Sequence, residues 1–245
     1  MEMKSTFGGF SKHMQTFFRG LRKHNNRDWF EAHREIYERQ VKGPMEELTV
    51  EVMAALTRFA PAYAGQPRKA IYRIHRDTRF SNDKTPYKTH TGALLRRADL
   101  PKNESASFYF AVSDCRVEIA GGCYMPGPDE LRLIRAHIVE NGPRFLKLIR
   151  NRALVAALGE LQGERLSRPP KGYCADMPGV APVLDYIKAR QWYHYAELDA
   201  EIALPGDMVE AIVARFRKVL PVVEFLNEPL LASARKNATL TTGWF

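Results

Sequence analysis

Residues 107–120, SFYFAVSDCRVEIA, constrain the fold more than any other stretch of the 245-residue chain. SFYFAVS (107–113) and RVEIA (116–120) are short, rich in β-branched and aromatic residues, and separated by a turn near Asp114, which predicts a β-hairpin. Helical patterns precede and follow it. Strands in mid-chain with helices at both ends predict an α+β fold: a mostly antiparallel central sheet flanked by N-terminal and C-terminal helices. No interdomain linker or repeat stands out, so a single domain over 1–245 is expected, and the length suffices to bury a core.

On the N-terminal side, Met14, Phe17, Phe18 and Leu21 recur at helical spacing. Asn26 suits an N-cap for a helix running from Arg27 to about Val41, which Gly43 and Pro44 should break. Met45, Leu48, Val52, Leu56 and Phe59 predict the next helix, ended by Pro61. AIYRIHR (70–76) alternates and predicts a strand, with Ala70, Tyr72 and Ile74 on one face and Ile71, Arg73 and His75 on the other. HTGALLR predicts the strand after it. In GGCYMPGPDE, Gly121 and Gly122 suit a tight strand exit or close backbone packing ahead of a helix carrying Leu131, Ile134 and Ile138. Gly142–Pro143 should interrupt that helix. Residues 160–182 read as loop and 183–190 as helix. WYHYAEL reads as a strand, with Trp192, Tyr193 and Tyr195 in the core or on the sheet face. A long helix should follow Pro205, with Met208, Val209, Ile212, Val213, Phe216, Val219 and Leu220 on its buried stripe and a kink at Pro221.

Charge is concentrated. Between Arg68 and Arg97 stand nine Lys/Arg against two acids, a net +7 out of the chain's +9. Such a local field favours an anionic partner. The densest part is RDTRFSNDKTPYKTH (76–90). If Arg73, Arg76, Arg79, Lys84 and Lys88 converge beside Tyr87, they form a site for a phosphate-bearing or other anionic small ligand, because arginine forks match such anions bidentately. A nucleic-acid surface is the second reading, supported by the pI near 9.5. The third is an internal ion-pair network, in which Asp77 and Asp83 each lock an arginine and pin the loop. Catalysis is a weaker reading, with His75 and His90 as acid and base and Asp77 beside them. Asp77 with Asp83 is a poor metal pair amid so many cations, and no metal site and no cofactor are called for. The Gly-rich stretch lacks the G-K-[ST] ending of a phosphate loop. Asn25 and Arg27 of HNNRDWF are either a local helix start or a second wall of the same cleft.

The remaining features bound the setting. No apolar run is long enough for a membrane helix, the first residues do not look like a signal peptide, and Cys115, Cys123 and Cys174 form no C-x-x-C pair. A soluble protein of a reducing cytoplasm is expected.

Four stretches together carry a resemblance: FFRGLRKHNNRDWFEAHREIYE (17–38), YRIHRDTRFSNDKTPYKTHTGA (72–93), GGCYMPGPDELRLIRAHI (121–138) and LPVVEFLN (220–227). They resemble the bacterial and fungal conserved hypothetical family numbered 2461 among the domains of unknown function. The resemblance implies one domain over nearly the whole chain and implies no activity. Two positions depart from the family pattern: His24 in place of asparagine, and Cys123–Tyr124 in place of glycine–tryptophan. The glycine and proline framework around them is intact.

Overall fold

The computed structural model describes residues 6–79, 81–100, 105–204 and 207–242, with side chains to residue 237. Phe80 and Pro205 fall outside the described residues. In chain order the elements are α1 (Lys12–Lys23), α2 (Arg27–Ala32), α3 (Arg34–Tyr37), α4 (Gly43–Leu56), α5 (Pro67–Ala70), β1 (His90–Leu95), β2 (Ser107–Ser113) and β3 (Arg116–Cys123). They continue with α6 (Pro128–Glu140), α7 (Gly142–Ile149), α8 (Arg152–Leu158), α9 (Leu184–Ile187), β4 (Trp192–Asp199) and α10 (Met208–Thr242). The strands form one antiparallel sheet in the order β1-β2-β3-β4, so the chain is α+β with helices before and after the sheet.

The chain divides into two compact units. The first comprises residues 1–95, 109–119 and 197–214, and the second residues 96–108, 120–196 and 215–245.

In the first unit the core forms where α1 places Met14, Phe17, Phe18 and Leu21 on one stripe, with Met45, Leu48, Val52 and Leu56 of α4 also buried. Aromatic rings fill the space beside them: Phe17 lies 6.3 Å from Phe30, and Phe30 lies 5.3 Å from Tyr37. The single helix expected over 27–41 is broken at His33, whose backbone leaves the helical region (φ −115°, ψ 13°). Its ring stacks on Trp29 at 3.9 Å and its Nδ1 bonds the Trp29 carbonyl, so the side chain consolidates the break. Gly43 and Pro44 do not end a helix. A π-turn over Glu38–Lys42 runs directly into α4, and Pro44 sits in the first turn of α4.

The strand expected over 70–76 is also corrected. Ala70 closes α5, and the following residues make only the isolated bridges Ile71–Ala93 and His75–Tyr87. These bridges are two residues out of register with each other, so no continuous ladder forms between them. Pro86 contributes a carbonyl, to the Arg76 N–H, and has no N–H to return.

In the second unit, Gly121 and Gly122 lie inside β3 rather than at its exit. A Cβ on Gly121 would stand 2.4 Å from Val219 Cγ1 of α10, and one on Gly122 (φ +142°) 2.1 Å from the Trp192 carbonyl oxygen. Both glycines therefore serve close packing. Phe108 stacks on Phe216 at 4.7 Å, and Phe145 lies 5.5 Å from Phe225. Trp192 is fully buried. The helical reading of 183–190 holds only to Ile187, and Gly142–Pro143 opens α7. The last helix runs through Pro221 and Pro229.

One buried polar side chain completes this unit. Asn227 accepts from the Ala106 N–H and donates to the Ala106 carbonyl, both at 2.9 Å. Replacing Asn227 with alanine leaves two buried backbone groups without partners, at a cost of about 3 kcal/mol. Urea unfolding is expected to show that loss as a lower midpoint with unchanged slope.

Candidate functional site

The site is built from a pair of asparagines upward. Asn26 Oδ1 accepts from the Trp29 N–H at 2.9 Å and caps α2. Its neighbour Asn25 turns the other way: Nδ2 donates to the Tyr87 carbonyl at 2.9 Å and Oδ1 accepts from the Tyr87 N–H at 3.0 Å. Tyr87 is 4% exposed, and its ring stacks on Phe30 at 4.3 Å with 16° between planes. The start of α2 thus holds the end of the basic loop.

The loop from Arg76 to Tyr87 is closed by its own side chains. The Arg76 guanidinium donates to Asp83 and to the Thr85 hydroxyl. Asp83 Oδ1 also accepts from the Thr85 N–H at 2.9 Å and its hydroxyl at 2.8 Å. Asp77 receives Arg79 in a two-point contact, Nε at 3.0 Å and Nη2 at 2.7 Å, together with the Arg79 backbone N–H. Lys84 Nζ donates to the Thr78 carbonyl at 2.9 Å. The arginine contacts hold the carboxyl groups of Asp77 and Asp83 down to about 2. These pairs are open to solvent rather than sealed: the Arg79 side chain is 75% exposed and that of Asp83 55%.

Beside the loop lies a cleft of about 600 Å³. Arg76, Asp77, Tyr87, Lys88 and His90 line it. Arg73, His75, Arg79 and Lys84 do not. The split between Arg76 and its odd-spaced neighbours Arg73 and His75 follows the alternation of an extended backbone. The His75 ring instead lies 5.1 Å from that of Tyr87. Asn25 reaches the cleft and Arg27 is not part of its lining. Sequence reasoning missed Arg22, which also lines it. The signal was its place one residue past buried Leu21, at the edge of the α1 stripe. Arg22 is matched there by Asp114 of the hairpin turn.

Lys88 stands apart from the arginines. Among the described residues no carboxylate pairs with it. Its Nζ donates to the Arg73 carbonyl at 3.1 Å and lies 4.8 Å over the Tyr72 ring. Burial, and then the Arg73 charge, lower its pKa. His90 opens β1 and lines both this cleft and a smaller cavity of about 50 Å³ that reaches Ser113, Cys115 and Glu118. Burial lowers the His90 pKa, Glu118 opposes that shift, and Lys88 and Arg116 add to it. Glu118 is itself held by Arg116 at 2.8 Å. The arrangement offers a cation without a carboxylate partner among the described residues and an imidazole whose neutral form burial favours. Among the described residues, no group of three or more His, Cys, Asp or Glu side chains is placed to hold a metal ion.

The family model for the conserved hypothetical protein DUF2461 matches residues 13–225, and the chain belongs to that family. Comparison with curated proteins gives no match. No helix among the described residues is long and apolar enough to cross a membrane.

His90 sets a pH dependence. Because its folded pKa lies below the ordinary 6.5, the unfolded chain binds the proton more tightly. The stability is complete above 6.5 and falls as pH drops through that value toward the folded pKa. A His90→Gln variant is expected to show a flatter stability profile below pH 6.5 than the parent chain. Buried His194 contributes with the same sign, so the comparison is read as the difference between two urea series.

Proposed function

We propose that the cleft beside the Arg76–Tyr87 loop binds a small anionic ligand, a phosphate or carboxylate, with Lys88 as its principal cation. The observation that carries this reading is the isolation of Lys88 in a concave site: partly desolvated, beside Arg76 and His90, and without a carboxylate partner among the described residues. A bound anion would favour the charged lysine and so offset the desolvation that depresses it. Arg22 and Arg76 are already matched by Asp114 and Asp83, so they add directional N–H donors more than net charge.

The same pairing argues against an extended nucleic-acid surface. Arg68, Arg76 and Arg79 each have an acidic partner, Glu46, Asp83 and Asp77, which shortens the reach of the positive field. The second reading is structural, with the loop as a self-closed ion-pair motif. Its support is that Asp77 and Asp83 each engage an arginine. Cys115, Cys123 and Cys174 stand as thiols, which suits a reducing compartment such as the cytoplasm.

Calorimetric titration with inorganic phosphate, citrate and mononucleotides tests the ligand reading. At least one is expected to bind, and Lys88→Gln is expected to weaken it by roughly 10- to 100-fold, the equivalent of one charge-assisted contact of about 1.5–3 kcal/mol. Affinity should change little between 50 and 200 mM salt, whereas backbone binding to nucleic acid would fall steeply. Unaltered affinity in a folded Lys88→Gln chain would remove the lysine from the site. Absence of any binding, with Arg76→Ala melting far below the parent, would favour the structural reading.

A further inference from the structure

The second unit holds a cleft of about 490 Å³ at the junction of α7 and α8, built from residues that the reading above does not use. Three arginines line it: Arg150, Arg152 and Arg165. No hydrogen bond or ion pair engages their side chains among the described residues, in contrast to the arginines of the basic loop. The one acid in the lining is Glu160. Three arginines against one carboxylate, all four exposed to solvent, give the lining an excess of two positive charges.

The frame that presents them is held in place. Asn151 lies between Arg150 and Arg152, and its Oδ1 accepts from the N–H groups of Ala153 and Leu154 at 3.0 and 3.1 Å. That cap holds the turn carrying both arginines. Arg165 bridges Ala189, with the Leu166 N–H on the Lys188 carbonyl at 2.9 Å and the Arg190 N–H on the Glu164 carbonyl at 2.8 Å. The rest of the lining is apolar or aromatic: Ile149, Val155, Leu161 and the Tyr186 ring, itself edge-on to Phe145 at 5.3 Å. A concave apolar wall with a few converging donors is the usual form of a small-molecule site.

We propose that this cleft is a second ligand site, for a phosphate monoester carried on a small apolar body. A monoester bears between one and a half and two negative charges at neutral pH, roughly the excess that the lining presents, and its three oxygens suit several guanidinium forks. The apolar wall takes the organic part, which inorganic phosphate lacks.

Phenyl phosphate is the probe, titrated calorimetrically into the full chain at low salt, with inorganic phosphate and benzyl alcohol alongside. Phenyl phosphate is expected to bind at least tenfold more tightly than either. The double variant Arg150→Gln/Arg165→Gln is expected to lose at least tenfold in affinity with its melting profile unchanged, and the binding step that this pair removes is expected to persist in Lys88→Gln, in which the first cleft no longer contributes. Glu160→Gln, which removes the one acid, is expected to tighten binding several-fold and stands as an independent check should the double variant fold poorly. The proposal is overturned by absence of phenyl phosphate binding at millimolar concentration or by equal affinity for inorganic phosphate. It is also overturned by full affinity in the folded double variant, by loss of binding in Lys88→Gln alone, or by unchanged or weaker binding in Glu160→Gln.

Discussion

The double hydrogen bond from Asn25 to the backbone of Tyr87 is the constraint on which the candidate site rests. It ties a helix start to the end of a loop that has almost no regular pairing of its own. With Tyr87 held against Phe30, the loop before it can close on Asp77 and Asp83, and the residues after it, Lys88 to His90, enter β1 in one register. A side-chain amide here does what a neighbouring strand would do elsewhere: it satisfies one N–H and one carbonyl of an otherwise unpaired residue.

Charge in this region is also shaped by pairing. A count of basic residues gives a strong field, yet in space several arginines are matched by acids two to twenty-two positions away. These pairs are exposed and individually add little to stability. Their effect is to neutralise, which leaves the lysine held by a carbonyl and a tyrosine face as the distinctive cation. In the cleft at the α7–α8 junction, by contrast, Arg150, Arg152 and Arg165 have no acidic partner among the described residues.

Much of the fold was legible because its signals are local. The hairpin about Asp114, the α1 stripe and the Asn26 cap follow from periodicity and capping chemistry within about a dozen residues. The errors arose where a distant or side-chain contact decides. His33 alternates with nothing, yet its stacking on Trp29 accompanies the end of α2. AIYRIHR has the alternation of a strand, but the partner segment contains Pro86 and slips by two residues, so only bridges form. The candidate site divides the same way. Arg76, Asp77, Tyr87, Lys88 and His90 were visible as a cluster because they are neighbours in sequence. Arg22 was not, since it arrives from α1. The arginines at 150, 152 and 165 carry no local signal, because they form no run and share a cleft only through the fold of the second unit.

The two asparagine clamps limit what these positions can become. Asn25 on Tyr87 and Asn227 on Ala106 each need one donor and one acceptor at the end of a short side chain, and asparagine is the one residue of that reach that carries both. Aspartate keeps the acceptor but sets a carboxylate against a carbonyl. Serine and threonine are too short to span both groups, and leucine, close in shape, offers neither bond. A single nucleotide change away from asparagine therefore has few neutral destinations at either site, however tolerant the surrounding surface. Over generations, the loop and the α10 core contact are each tied to a one-letter vocabulary.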